Sequence, residues 1–411
     1  MNSATPLATG DDGDRRARRN AIVLSAAQAL YFIGATIQLT VIGLVGHLLA
    51  DDKSFATLPV TTFIIGTVSS TIPASLLMRR VGRRAGFQIG AITAFFAALL
   101  ATYAIFERSF VLFCIATALT GIYQAFAQYY RFAAADTANE AFRPKAISWV
   151  MAGGLVAAVA GPQIVILTKD AFAPVIFAGS FVASACTALL ALAVLSFVDI
   201  PKPATHGDRH AHPRPLGQIL KQPKLRIAIL TGMVSYASMT FIMTATPLAM
   251  IACNHPVTSA AHAIQWHVFA MFAPSFVTGH LIARFGRERI VLTGLLLLAG
   301  SGLVGMTGLE IWHFNLAMIL LGVGWNFGYV GSTTMVTDCH RPEERNKVQA
   351  VNEFMVFGFV ASASFASGLL LHNGGWDLVT MSYLPFVAVA GGFVLLLLQR
   401  GDKWGVEGAA S

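Results

Sequence analysis

Two apolar stretches of this 411-residue chain each carry a pair of soft metal ligands four residues apart. Met239 and Met243 lie in one, His267 and Met271 in the next. Residues at i and i+4 share a helix face, so each pair can aim two side chains into one space between neighbouring helices. Thioether sulfur and imidazole nitrogen together favour copper among the physiological metals. A Met pair alone carries little weight, because methionine also fills gaps in packed interiors. His267 carries more: an imidazole at membrane depth needs a partner or a wet cavity. Tyr236, one turn before Met239, either supports the pair through a hydrogen bond or packs beside it.

Further ligand types flank these pairs. Met250, Cys253 and His255 follow the first stretch and His262 opens the second, an inbound path for a metal ion. Cys339 and His340 mark an outbound path, with His206, His210 and His212 in the polar middle of the chain. The four cysteines (Cys114, Cys186, Cys253, Cys339) offer neither a disulfide framework nor a C-x-x-C knuckle. No nucleophile–base constellation appears, so neither an enzyme nor a permanently bound cofactor is expected.

The elements that must position these residues follow from composition. The chain is 55% hydrophobic and only 12% charged, against about 25% charged in soluble domains. Runs free of Lys, Arg, Asp and Glu recur, about twelve of them, each near the roughly 20 residues a bilayer core requires. Hydrocarbon obliges the backbone to satisfy its own hydrogen bonds, so long apolar runs become helices, and the alternation of an outer-membrane barrel is missing. The expectation is an all-α membrane protein with twelve transmembrane helices. Met239/Met243 fall in the seventh (227–251) and His267/Met271 in the eighth (260–283).

Charge sets the orientation. Of 28 Lys and Arg, only Lys53, Arg108 and Lys169 fall outside one alternating set of loops. That asymmetry predicts both termini in the cytoplasm. It also accounts for the +8 net charge through anionic lipid headgroups rather than nucleic acid.

Two pseudo-symmetric six-helix bundles are expected over 22–198 and 227–399. Cytoplasmic tails at 1–21 and 400–411 and a Pro- and His-rich linker at 199–226 complete the plan. A repeat supports the duplication. Leu77-x-x-Arg80-x-Gly82-Arg83-Arg84 follows the second helix, and Gly279-x-Leu281-x-x-Arg284-x-Gly286-Arg287 follows the eighth. Their arginines and glycines read as gating loops. Glu353, beside Asn352 about two turns inside the eleventh helix, either couples a proton or pairs with an arginine at the gate, and the gate is the preferred reading. Arg131 and Asp136 end the fourth helix as a related interfacial cluster, while Trp325 and Asn326 are expected to pack and to bond between helices.

Over essentially its whole length the chain resembles the major facilitator superfamily, whose loop signature is G-x-L-x-D-R-x-G-R-R. Arg79 and Ser75 depart from it in the first copy, and Ala283 replaces the acid in the second. Thr117, four residues before Gly121, stands where that superfamily has an arginine, and Gly161-Pro162 matches only a fragment of its antiporter signature. More narrowly, M-x-x-x-M and H-x-x-x-M on the seventh and eighth helices resemble the CcoA-type bacterial copper importers. That resemblance implies copper uptake across the cytoplasmic (inner) membrane, from a periplasmic donor to a cytoplasmic acceptor, supplying a cbb3-type oxidase. The alternative is a carrier or exporter of a small organic solute, with Met239, Met243, His267 and Met271 merely lining its cavity.

Overall fold

Runs of Leu, Ala, Val and Phe without charges become helices here because nothing but their own carbonyls can accept their N–H groups in hydrocarbon. The computed structural model describes residues 11–139, 142–200, 214–341 and 344–400. Among the described residues every regular element is helical. The first seven helices are α1 (Asp11–Leu49), α2 (Leu58–Val81), α3 (Arg83–Phe106), α4 (Phe110–Ala127), α5 (Tyr130–Asp136), α6 (Arg143–Thr168) and α7 (Ala178–Leu195). Then come α8 (Leu216–Ile219), α9 (Pro223–Ala252), α10 (Val257–Phe272), α11 (Ser275–Phe285) and α12 (Arg287–Met306). The chain ends with α13 (Ile311–Thr337), α14 (Arg345–Ser382) and α15 (Leu384–Arg400).

Ten of the described helical segments are long and apolar enough to cross a membrane, and α10 with α11, bent by 43°, makes an eleventh. One of the ten, Lys347–Gln399, is 53 residues long. It contains both α14 and α15, enough chain for two passages of about 20 residues each. Counted that way, the spans match the twelve expected.

Contacts divide the chain into two units: Met1–Leu39 with Ile65–Thr205, and Thr40–Ile64 with His206–Ser411. In the first, α3 buries Gly86, Gly90, Ala94, Ala97, Ala101 and Ala104 at three- and four-residue steps. Small residues at that period let helices approach closely in a membrane. Phe87 meets Tyr130 edge-on at 4.7 Å, and Tyr31 meets Tyr123 at 5.1 Å. The first helix begins at Asp11, well before the expected 22. Its polar start is anchored: Asn20 exchanges two hydrogen bonds with the Asp199 backbone, and Arg16 pairs with the Asp199 carboxylate at 2.9 Å.

In the second unit, α9 is the axis. Every residue from Ala237 to Met250 is buried, and the helix runs unbroken through Pro247. The segment Thr40–Ile64 packs here too: Thr57 Oγ1 donates to Phe365 O at 3.4 Å, and Phe55 faces Phe365 with centroids 6.1 Å apart. Gly375 takes φ +68 inside α14 and interrupts its regular backbone.

Candidate functional site

The four expected metal ligands all lie inside the second unit and all are buried: Met239, Met243, His267 and Met271. His267 is wholly enclosed, with Nδ1 3.0 Å from the Met318 carbonyl. A carbonyl only accepts, so Nδ1 carries the proton and Nε2 keeps a lone pair. That Nε2 is buried without a hydrogen-bond partner. The close approach of α10 and α13 requires Gly322, where a Cβ would stand 2.6 Å from the His267 carbonyl oxygen. From α9, Thr246 donates to the Met318 sulfur at 3.4 Å. Met239, Met243 and Met250 stand seven and three residues before Thr246 and four after it, a spacing that sets them on the same side of α9. Met318, absent from the sequence reading, is thus where the two helices carrying the Met and His pairs meet α13. The chemistry on offer is one enclosed imidazole lone pair, with buried methionines on the helices around it.

The outlying ligand types are not gathered. Met250 is fully buried, whereas His262 is exposed on α10. His255 Nε2 lies 2.7 Å from the Leu309 carbonyl. Burial raises the Cys253 thiol above its ordinary range. Cys339 gives its Sγ–H to Met335 O at 3.3 Å, and burial pushes its thiol up to about 11. A thiol held protonated is a poor metal ligand. His340 Nδ1 stands 3.1 Å from the Arg341 carbonyl. His206, His210 and His212 lie outside the described residues. Among the described residues, no three His, Cys, Asp or Glu converge as a metal-binding group.

A second assembly brings together residues that the sequence left scattered. Tyr236 of α9 meets Trp325 (5.6 Å) and Tyr329 (5.0 Å) of α13 edge-on, and Phe357 of α14 at 5.3 Å. Trp325 and Tyr329 stack at 5.4 Å with planes 19° apart. Tyr236, Tyr329 and Phe357 are half-buried, while Trp325 is buried with its Nε1–H unpartnered. Glu353, one turn before Phe357, is half-buried and close enough to act electrostatically on the Tyr236 phenol. Asn352 Nδ2 reaches Glu353 Oε1 at 3.5 Å. An ionisable side chain at this depth in an apolar helix belongs to a wet cavity or a partner, not to lipid. The half-exposed rings therefore lie beside a carboxylate on the neighbouring helix. The pairs Trp325/Tyr329 and Glu353/Phe357, each at i,i+4, were the sequence signal for it.

Asn326, next to Trp325, holds the bent pair α10/α11. Its Nδ2 donates to Met271 O (2.8 Å) and Ser275 Oγ (2.6 Å), and its Oδ1 accepts from Thr278 at 2.6 Å. Pro274 interrupts the helix there, and the amide satisfies what the break exposes.

The repeated loops fold alike. Gly82 (φ 92, ψ 159) and Gly286 (φ 87, ψ 156) adopt the same left-handed turn, each opening the next helix. Only glycine takes that conformation without strain. Their charge surroundings differ. Arg287 pairs with Asp338 at 2.5 Å, and Lys224 with Glu288 at 3.2 Å and Asp338 at 3.5 Å, so an acid of the loop itself and one from the end of α13 pair with its cations although Ala283 is not acidic. Arg284 lies over the Phe285 ring, and Arg84 is exposed. Arg131 is likewise exposed, over Phe132, and Arg83 is half-buried; the Asp136 side chain lies outside the described residues. At the start of α14, Glu344 receives a two-pronged bond from Arg214 at 2.6 and 2.7 Å. That guanidinium, helped by the Arg341 and Arg214 backbone N–H groups, holds the Glu344 carboxyl down to about 2.

The sequence profile of the Major Facilitator Superfamily matches residues 24–264 and 228–411. The riboflavin transporter RfnT of Brucella anthropi is 48% identical over 388 residues, covering 94% of this chain and 97% of that protein. An uncharacterized MFS-type transporter of Bacillus subtilis, YdeG, is 29% identical, covering 94% and 92%. Among solved structures, the nucleoside transporter NupG superposes with a TM-score of 0.72 at 13% identity, covering 92% of this chain and 99% of that one. A bacterial homologue of the lysosomal transporter Spinster gives 0.69 at 14%, covering 93% and 96%. The narrower likeness to copper importers finds no counterpart in these relatives. With a duplicated loop turn, all-helical units and a profile spanning both halves, the chain belongs to the Major Facilitator Superfamily of multi-pass membrane transporters.

Proposed function

We propose that this protein carries a small organic solute with a flat conjugated ring, of the riboflavin class, across the bacterial cytoplasmic membrane by alternating access. Both termini lie inside on this reading, as the loop arginines require. The observation that carries it is 48% identity, along nearly the full length of both chains, with a riboflavin transporter. The half-open cluster of Tyr236, Trp325, Tyr329 and Phe357 supports it, since aromatic faces stack on planar rings. The test is uptake of labelled riboflavin into proteoliposomes holding the purified protein. Saturable accumulation competed by unlabelled riboflavin is the expected result; flux equal to empty liposomes overturns the proposal.

One observation favours a second reading, copper import for a cbb3-type oxidase: the enclosed, unpartnered Nε2 of His267, in a unit that also buries Met239, Met243 and Met271. Neutral thioethers would hold a soft ion weakly enough to release it. An inside-negative potential would favour entry by about 2.3 kcal/mol per charge per 100 mV. Here Met239, Met243, His267 and Met271 are the ligands and Tyr236 a neighbour. Copper accumulation that His267→Leu abolishes while riboflavin flux persists would establish it; wild-type copper flux at the empty-liposome level excludes it.

A further inference from the structure

We infer that Asn352 and Glu353, set among the four rings, form the recognition site for the imide edge of the solute's ring, an N–H flanked by two carbonyls. The inference rests on the flavin reading, because an isoalloxazine carries such an edge, and it adds which residues read that edge. Glu353 and Phe357 stand at i,i+4 and so share a face of α14. The Phe357 ring of that face is in contact with Tyr236. The carboxylate therefore lies on the face of α14 that meets the ring cluster. Asn352 is buried, and its amide reaches Glu353 Oε1 at 3.5 Å. Amide N–H and carboxylate oxygen thus lie side by side, a donor beside an acceptor.

An imide edge presents the complement, an N–H to give and carbonyls that receive. A carboxylate has acceptor capacity for several hydrogen bonds, so Glu353 can take the imide N–H while keeping other contacts. Rings bind faces of many shapes, but a largely enclosed polar pair penalises a solute that cannot hydrogen-bond to it. The rings then supply affinity, and Asn352 with Glu353 supply the choice. This differs from the gating role first expected of Glu353, since a gate residue has no reason to discriminate between two flavins.

Purified protein is titrated with riboflavin and with 3-methylriboflavin, in which a methyl group replaces the imide hydrogen, and flavin fluorescence quenching is read. The wild type should bind riboflavin at least about tenfold more tightly, the scale of a hydrogen bond to a charged group. Glu353→Leu should bind both equally, at the weaker level. Glu353→Gln, which keeps an acceptor oxygen, should retain a smaller preference. Equal binding of the two flavins by the wild type overturns the inference and leaves the transport reading standing, and this arm requires no variant to fold. Preference undiminished in Glu353→Leu also overturns it. A wild type that binds neither flavin instead sinks the flavin reading beneath it.

Discussion

Helix α13 presents two unlike assemblies one heptad apart, about 10 Å along its axis. At Met318 it meets an enclosed imidazole and the methionine-bearing helix α9; at Trp325 and Tyr329 it meets the half-exposed Tyr236 ring. The first offers one lone pair in a dry shell, enough for a bare ion. The second offers broad, half-exposed aromatic faces, which a solute of many atoms needs. Ligand type alone does not separate a cargo site from a packed interior; access does.

The largest effect should come from removing a ring. Trp325→Ala takes away the stacked partner of Tyr329 and should weaken riboflavin binding by tenfold or more, read by fluorescence titration, because burying and stacking an aromatic group is worth one to several kcal/mol. Unchanged binding would break the assignment of the open assembly. Next is the closed assembly. His267→Leu should leave riboflavin affinity within about twofold yet cost about 1–2 kcal/mol of stability, since the Met318 carbonyl loses its donor. A lowered thermal midpoint in detergent checks it, and altered flavin affinity would merge the two regions into one.

A smaller effect, outside both assemblies, is acid dependence at Glu344. Its carboxyl sits at about 2 in the folded chain, below the ordinary 4.5, so its contribution to stability is complete above 4.5 and fades as pH falls toward 2. Thermal midpoints of Glu344→Gln should therefore lie below wild type at neutral pH and converge with it in acid. Smallest is Asp338→Asn. The ion pairs with Arg287 and Lys224 are partly exposed, so the loss should stay under about 1 kcal/mol and shrink further with added salt.

Much of the fold was legible because bilayer physics is coarse: charge-free runs located the spans. The matched glycines announced one turn used twice, since their φ values admit little else. Helix α1 began earlier than its apolar stretch because Asn20 and Arg16 find partners near Asp199, a contact separated by most of the first half of the chain. The sulfur ligands were visible as pairs, but their common neighbour Met318 was not, nor was the aromatic cluster. Tyr236, Trp325 and Phe357 come from three helices far apart in sequence, and periodicity reports one helix at a time.

The Asn326 amide has a consequence for motion. One side chain spans the interruption between α10 and α11, touching a carbonyl on one side and hydroxyls on the other. When the two segments swivel, those contacts can be traded among neighbours instead of being surrendered to hydrocarbon. A joint braced in this way can flex with its polar backbone groups still matched.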